Sequence, residues 1–89
     1  MTAYRVELSG ESRESLRRFD KQTVERILRK IDWLSQNFDS LTPEALTGDF
    51  KGLLKLRVGD YRVAYEAKRL ERLIVVHFIR HRSEAYKQP

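Results

Sequence analysis

Residues 54–65, which read LKLRVGDYRVAY, decide the fold of this chain. Apolar and polar residues alternate on both sides of Gly59-Asp60, and this period of two is typical of β-strands. If Gly59-Asp60 is a two-residue loop, the stretch is a β-hairpin in which Arg57 lies directly opposite Arg62. The hairpin then has one apolar face, which other elements must cover.

The residues on either side of the hairpin supply that cover. Residues 3–8 alternate and predict an edge strand, and residues 11–19 predict a short helix that Ser9 or Ser12 caps. A second helix, capped by Asp20, has apolar residues at helical spacing, namely Val24, Ile27, Leu28, Ile31, Leu34 and Phe38.

The rest of the chain completes an α+β fold. Residues 38–52 contain Pro and Gly and predict a connection, whereas residues 73–79 are apolar on both faces and predict an inner strand. The resulting order is β-α-α-β-β-β, with a helical hairpin packed on a small, mainly antiparallel sheet. With 89 residues we expect a single domain spanning 1–89.

Composition limits the possible functions. The chain has no cysteine, which excludes disulfides, thiolate metal sites and a cysteine nucleophile. Residues 1–7 lack the apolar run of a signal peptide, and the longest apolar stretch, 73–76, is too short to cross a membrane. We expect a cytoplasmic protein with no membrane partner.

The positive charge lies in one half of the chain. Residues 1–46 contain eight Lys and Arg and eight Asp and Glu, whereas residues 47–89 contain ten and five, which accounts for the whole net charge of +5. This asymmetry predicts a polyanionic partner for the second half. On charge alone, a merely well-solvated basic surface is an equal alternative.

The hairpin predicts where an anion would bind. Lys55, Arg57 and Arg62 share the face opposite the apolar one, and two directly opposed arginines repel each other. Arg80, Arg82 and Tyr86 follow the last strand, which should pair beside the Arg62 strand. Alternation alone does not fix the register that would place Arg80 on this face.

Such cations suit RNA cleavage by the neighbouring 2′-hydroxyl. The reaction needs a base, stabilisation of the charged phosphate and an acid for the leaving 5′-oxygen, and guanidinium groups match phosphate oxygens well. Surrounding positive charge disfavours a protonated lysine and favours a tyrosinate, so either residue type is a candidate base. This chemistry requires no metal or other cofactor.

Two runs resemble the RelE branch of the RelE/ParE toxin superfamily. They are LRVGDYRVAY at 56–65 and IRHRSEAY at 79–86, and the Leu46-Thr47-Gly48 segment resembles the family's usual lead-in. The resemblance covers nearly the whole chain, and the predicted order of elements is also that of the family.

The resemblance implies a toxin that enters the ribosomal A site, cleaves mRNA there and is silenced by a cognate antitoxin. Carried over by position, Lys55 is a candidate base or phosphate stabiliser, Arg62 holds the phosphate and Arg80 stabilises charge or assists the leaving group. Tyr86 stacks on or orients the substrate. Three further residues, Lys51, Arg57 and Arg82, are candidate RNA or phosphate contacts.

One departure from the family pattern leaves the base open. RelE toxins have a second lysine two residues before the position of Lys55, where this chain has Leu53, and the nearby Lys51 is out of register. His81 is an alternative base, because an imidazole needs little pKa tuning near neutrality.

Two other functions fit the same fold. One is a ParE-like toxin that inhibits DNA gyrase by binding, although that branch generally lacks the set of Lys55, Arg80 and Tyr86. The other is a catalytically silent RNA-binding module, which needs the same basic face.

Overall fold

The computed structural model describes residues 3–46 and 48–84. Besides two short 3₁₀ helices, Phe38–Ser40 and Gly48–Phe50, they form two α-helices and five strands. In chain order these are β1 (Arg5–Leu8), α1 (Gly10–Arg18), α2 (Lys21–Asn37), β2 (Glu44–Ala45), β3 (Leu54–Val58), β4 (Tyr61–Lys68) and β5 (Leu73–His81). The predicted α+β order is confirmed with one addition. The two-residue strand β2 lies inside the segment that was predicted to be only a connection.

The five strands form one sheet in the order β1-β5-β4-β3-β2. β1 runs parallel to β5, and every other neighbouring pair is antiparallel. β5 is therefore an inner strand and β1 an edge strand, as their hydrophobic patterns predict. In the hairpin, Arg57 pairs with Arg62 across the Gly59-Asp60 turn, so the predicted register is confirmed.

The helices cover one face of the sheet. The main core contains buried residues from α2 and from the strands, among them Ile27, Ile31, Leu34, Val63, Tyr65 and Ile74. Leu28, predicted to lie in the buried stripe, is instead 42% exposed. It follows Ile27 by one position and is therefore turned about a quarter of the way around the helix from the core. Among the described residues, neither helix is long and apolar enough to span a membrane.

Capping side chains fix where both helices begin. Ser9 accepts a hydrogen bond from the Ser12 backbone N–H at 3.1 Å, so Ser9 is the cap of α1. Asp20 accepts from the Thr23 N–H at 3.3 Å and caps α2 as predicted. Such caps satisfy backbone donors that have no partner inside the helix.

A β-bulge interrupts the pairing of β4 with β5. Ala64 lies opposite Phe78 whereas Tyr65 lies opposite Val76, so His77 is an extra residue in β5. Val76 belongs to the main core beneath the helices, but Phe78 packs on the other face of the sheet. The bulge thus shifts the alternation of every later residue of β5 to the opposite face.

The first turn of α1 holds this bulge. The Ser12 hydroxyl donates to the Val76 carbonyl at 3.1 Å, and the Ser9 hydroxyl donates to the His77 carbonyl at 2.7 Å. Ser12 is fully buried. These bonds satisfy carbonyl groups at a point where the ladder is locally disrupted.

Candidate functional site

Three arginines from three adjacent strands lie in one line across the sheet. Arg57 on β3 is directly opposite Arg62 on β4, and Arg62 is directly opposite Arg80 on β5. Directly opposite residues share a face, with their Cβ atoms about 5 Å apart. We call Arg57, Arg62 and Arg80 the arginine row. It lies on the face away from the helices, and Arg80 reaches that face because of the bulge at His77.

Arg80 is held in place before any ligand binds. Its Nη2 and Nε atoms lie 2.8 Å and 3.1 Å from Glu11 Oε2, in the first turn of α1. Its guanidinium carbon lies 3.9 Å from the centroid of the Phe78 ring, and the side chain is only 24% exposed. A guanidinium fixed in this way is preorganised to meet an anion.

The other two members of the row have no acidic partner among the side chains that the structure describes. Arg57 is exposed, and the half-buried Arg62 makes two long contacts within the described part of the chain, from Nη1 to the carbonyls of Gly59 at 3.4 Å and Tyr61 at 3.3 Å. Among the carboxylates whose side chains the structure describes, none forms an ion pair with Arg57 or Arg62. The row is therefore a site of excess positive charge.

Lys55 lies on the same face, one position along from the arginine row. It is opposite Ala64, which in turn is opposite Phe78. The side chain is only 20% exposed, and its Nζ atom lies 3.5 Å from Glu44 Oε2. β2 brings Glu44 directly opposite Lys55.

A small apolar cluster forms the floor beside these cations. Its residues are Leu46, Ala64 and Phe78, with Phe50 and Leu53 packed against them. Leu53, which stands where the resemblance would place a second lysine, therefore fills part of this floor. An apolar floor lowers the local dielectric and strengthens the field of the charged groups above it.

His81 lies on the opposite face from the arginine row. It pairs with Tyr61, and the two rings meet edge to face with their centroids 5.4 Å apart. Its Nδ1 atom accepts from the Ser83 backbone N–H at 3.2 Å, so a neutral His81 carries its proton on Nε2.

The remaining candidate residues lie around the row. Arg82 is exposed, with Nε 4.0 Å from Asp60 Oδ1, and its backbone N–H donates to the Asp60 carbonyl at 2.6 Å. Lys51 is exposed in the turn that leads into β3. Tyr86 lies outside the described residues, so its predicted role stays a prediction.

Two carboxylates that position the site were missed in the sequence. Glu11 holds Arg80, and Glu44 faces Lys55. Each comes from an element distant in the chain, and no local pattern marks either residue. Among the described residues, no group of three or more His, Cys, Asp or Glu side chains is placed to hold a metal ion.

The arrangement suits a ligand with phosphate groups. Guanidinium groups bind phosphate oxygens through a planar fork. Three of them in a line can contact more than one phosphate group. The partly buried Lys55 and Arg80 lie on either side of the apolar floor. Together the four cations can hold a phosphodiester and stabilise negative charge that develops on it.

Comparison with known proteins gives a family match. Residues 6–86 match the family model for the ParE toxin of type II toxin–antitoxin systems, parDE. Direct comparison with curated protein sequences gives no significant match.

Solved structures share the fold. The toxin–antitoxin complex RelBE2 from Mycobacterium tuberculosis is similar with a TM-score of 0.81 at 20% identity, over 93% of this chain and 95% of that chain. The archaeal RelE–RelB complex from Pyrococcus horikoshii OT3 has a TM-score of 0.73 at 26% identity, over 94% and 100%. The isolated E. coli RelE toxin has a TM-score of 0.68 at 16% identity, over 89% and 84%.

Proposed function

We propose that this chain, which belongs to the ParE toxin family of type II toxin–antitoxin systems within the RelE/ParE superfamily, cleaves mRNA in the ribosomal A site. It is the toxin of a toxin–antitoxin pair. The observation that carries the nuclease proposal is the arginine row, Arg57-Arg62-Arg80, with Lys55 beside it on the same face. Such an enzyme acts in the cytoplasm on translating ribosomes.

In the proposed reaction the 2′-hydroxyl of the RNA attacks the adjacent phosphorus. The base takes the proton of the 2′-hydroxyl as the O2′–P bond forms, and a general acid gives a proton to the leaving 5′-oxygen as the P–O5′ bond breaks. Arg62, at the centre of the row, holds the phosphate, and Arg57 binds a neighbouring phosphate oxygen. Arg80, already oriented by Glu11, stabilises the charge that develops on the phosphate or the leaving group.

Lys55 is the better supported of the two candidate bases. It shares the face of the arginine row, whereas the His81 ring lies on the other face against Tyr61. A base must come within about 3 Å of the proton that it abstracts, directly or through one water. Tyr86 completes the proposal as the residue that stacks on the substrate, and Lys51 and Arg82 as flanking RNA contacts.

The alternative is inhibition of DNA gyrase by binding, which the ParE description of the matching family favours. A gyrase inhibitor has no evident need for a line of arginines beside a partly buried lysine. A silent RNA-binding module would use the same cations and differs only in lacking turnover.

The toxin requires an antitoxin partner. The M. tuberculosis and P. horikoshii structures are themselves complexes, one of a toxin with its antitoxin and one of RelE with RelB. We propose that the cognate antitoxin of this chain presents acidic side chains to the arginine row. Covering the row would silence the site by occupying the positions that phosphates need.

The test is induced expression without the antitoxin, with mapping of mRNA 5′ ends in the same cells. Growth arrest with new 5′ ends in phase with codons is expected, and Arg80→Ala should reduce cleavage at least about a hundredfold. Arg13→Ala, which removes an exposed arginine from α1, is the matched control and should stay toxic.

Three results would contradict the proposal. Arrest with intact mRNA and altered DNA supercoiling would identify a gyrase inhibitor. Ribosome binding without new 5′ ends would identify a silent module. Equal loss of toxicity in Arg80→Ala and Arg13→Ala would show that neither arginine has a specific role.

A further inference from the structure

A groove separates α2 from β3 on the helix side of the arginine row. It is an open groove with a volume of about 500 Å³, lined by Arg26, Arg29, Lys30, Trp33, Arg57, Val58 and Gly59. We call it the tryptophan groove. Its volume falls in the range of pockets that bind small molecules, and a nucleotide is of that size.

The charge of the tryptophan groove is unbalanced. Four of its lining residues are cations and none is acidic. Among the described residues, no carboxylate forms an ion pair with Arg26, Arg29, Lys30 or Arg57, whereas Arg17, Arg72 and Arg80 each have one. Like charges three or four positions apart on a helix destabilise it. The groove therefore has the electrostatics of an anion site.

Trp33 gives the groove an aromatic surface. It is 40% exposed, and Lys30 Nζ lies 3.9 Å from the centroid of its ring. Exposed aromatic rings among basic residues are how proteins bind single-stranded nucleic acid, because bases stack on the ring while cations follow the backbone. An acidic peptide would satisfy the cations but would leave the indole without a planar partner.

Two residues join the groove to the hairpin. Gly59 has a φ of +58°, and a Cβ there would lie only 2.7 Å from Arg26 Nη2, so the turn allows Arg26 to approach closely. Arg57 lines the groove and is also the outer member of the arginine row. A single nucleic acid strand can therefore run from the arginine row into the tryptophan groove with its phosphates close to basic side chains throughout.

We propose that the tryptophan groove binds single-stranded RNA next to the segment held by the arginine row, with a base stacked on Trp33 and phosphates on Arg29 and Lys30. The inference rests on the proposed function in one respect, namely that the polyanion on the row is RNA. It adds a second contact that fixes the direction of the strand and lengthens the binding site.

Trp33 also provides the assay, because it is the only tryptophan in the chain. Its fluorescence is followed while the full chain is titrated with a 2′-O-methyl oligouridylate octamer, which cannot undergo 2′-hydroxyl attack. Saturable quenching is expected. Binding measured by anisotropy of a labelled octamer should weaken about tenfold in Trp33→Ala and much less in Trp33→Phe.

A charge variant tests the cations separately. Arg29→Gln with Lys30→Gln should weaken binding and reduce the slope of log K against log salt by about 1.4, the value for two phosphate contacts on a single strand. Arg13→Gln with Lys68→Gln removes the same charge from exposed positions elsewhere and should leave the quenching of Trp33 unchanged.

The outcomes separate this inference from the nuclease proposal. Quenching of Trp33 by the octamer, in an unsubstituted chain whose expression produces no new mRNA 5′ ends, would support the groove and overturn only the nuclease proposal. Codon-phased cleavage without quenching, or equal weakening by both charge pairs, would overturn the groove. Saturable binding of an acidic peptide, measured by Trp33 fluorescence, with no binding of the octamer would overturn it in favour of a protein partner.

Discussion

Replacing Arg62 by Gln should stabilise the fold while it removes activity. Arg62 is the central member of the arginine row, with Arg57 directly opposite on one side and Arg80 on the other. Arg62 is half-buried, and among the described residues its guanidinium makes long contacts to two backbone carbonyls. The substitution therefore removes repulsion and little favourable interaction.

The magnitude follows from the pairing. A like-charge pair directly opposite across strands is unfavourable, and cross-strand pairs contribute about 0.2–1 kcal/mol. Glu11, 2.8 Å from Arg80, offsets the charge on that side, so the Arg57 pair contributes most of the repulsion. We expect Arg62→Gln to gain about 0.5 kcal/mol, or roughly 2–4 °C in Tm for a domain of this size.

The assay is thermal and urea unfolding at low salt and again at 1 M salt. The gain should shrink at high salt, because the screening length falls from about 10 Å at 0.1 M to about 3 Å. Arg62→Lys keeps the charge and should show no gain. In Arg57→Gln/Arg62→Gln the two gains should be less than additive, since both substitutions remove the same repulsion. Destabilisation of Arg62→Gln by the same amount at both salt concentrations would refute the reasoning.

Three further predictions concern the scaffold. Ser12→Ala removes the buried hydrogen bond to the Val76 carbonyl and should cost about 1 kcal/mol in urea unfolding. The Arg72 guanidinium, 3.0 Å from Asp39 Oδ2, holds the pKa of that carboxyl below its usual value. The stabilisation from this ion pair is complete above about pH 3.9, the pKa of an aspartate in the unfolded chain, and is lost as the pH falls through the lower pKa of Asp39 in the folded protein. Asp39→Asn should therefore make the free energy of unfolding, measured by urea unfolding, fall less steeply with decreasing pH. Burial raises the pKa of Tyr65 to about 12. The neutral Tyr65 hydroxyl contributes fully to the free energy of unfolding below about pH 10, and this contribution is lost as the pH rises toward 12. Tyr65→Phe should therefore show a smaller fall in Tm between pH 9 and pH 12.

The hairpin and the helices could be predicted because local chemistry specifies them. Gly59-Asp60 between two alternating runs fixes the register that opposes Arg57 and Arg62, and Asp20 fixes the start of α2. In both places a turn or capping residue and the spacing of the apolar residues predict the same element with the same boundary.

The position of Arg80 could not be predicted, because it depends on one extra residue. Strict alternation would place Val76, Phe78 and Arg80 on the same face. Because of the bulge at His77, Val76 faces the helices, whereas Phe78 and Arg80 lie on the opposite face. The bulge is held by hydroxyls of α1, about 65 residues earlier in the chain. Partners so distant leave no local signal, and the same holds for Glu11 and Glu44 beside the cations.

The strand order has a consequence for the time at which this toxin appears during its own synthesis. β5 is the last of the five strands to be made, yet it lies between β1, the first, and β4. Until residues 73–81 leave the ribosomal exit tunnel, β1 has no partner and the helices have only part of a sheet to cover. Arg80 arrives on that same strand. The nascent chain therefore carries no complete arginine row until β5 has emerged, and completion of the sheet and assembly of the site coincide.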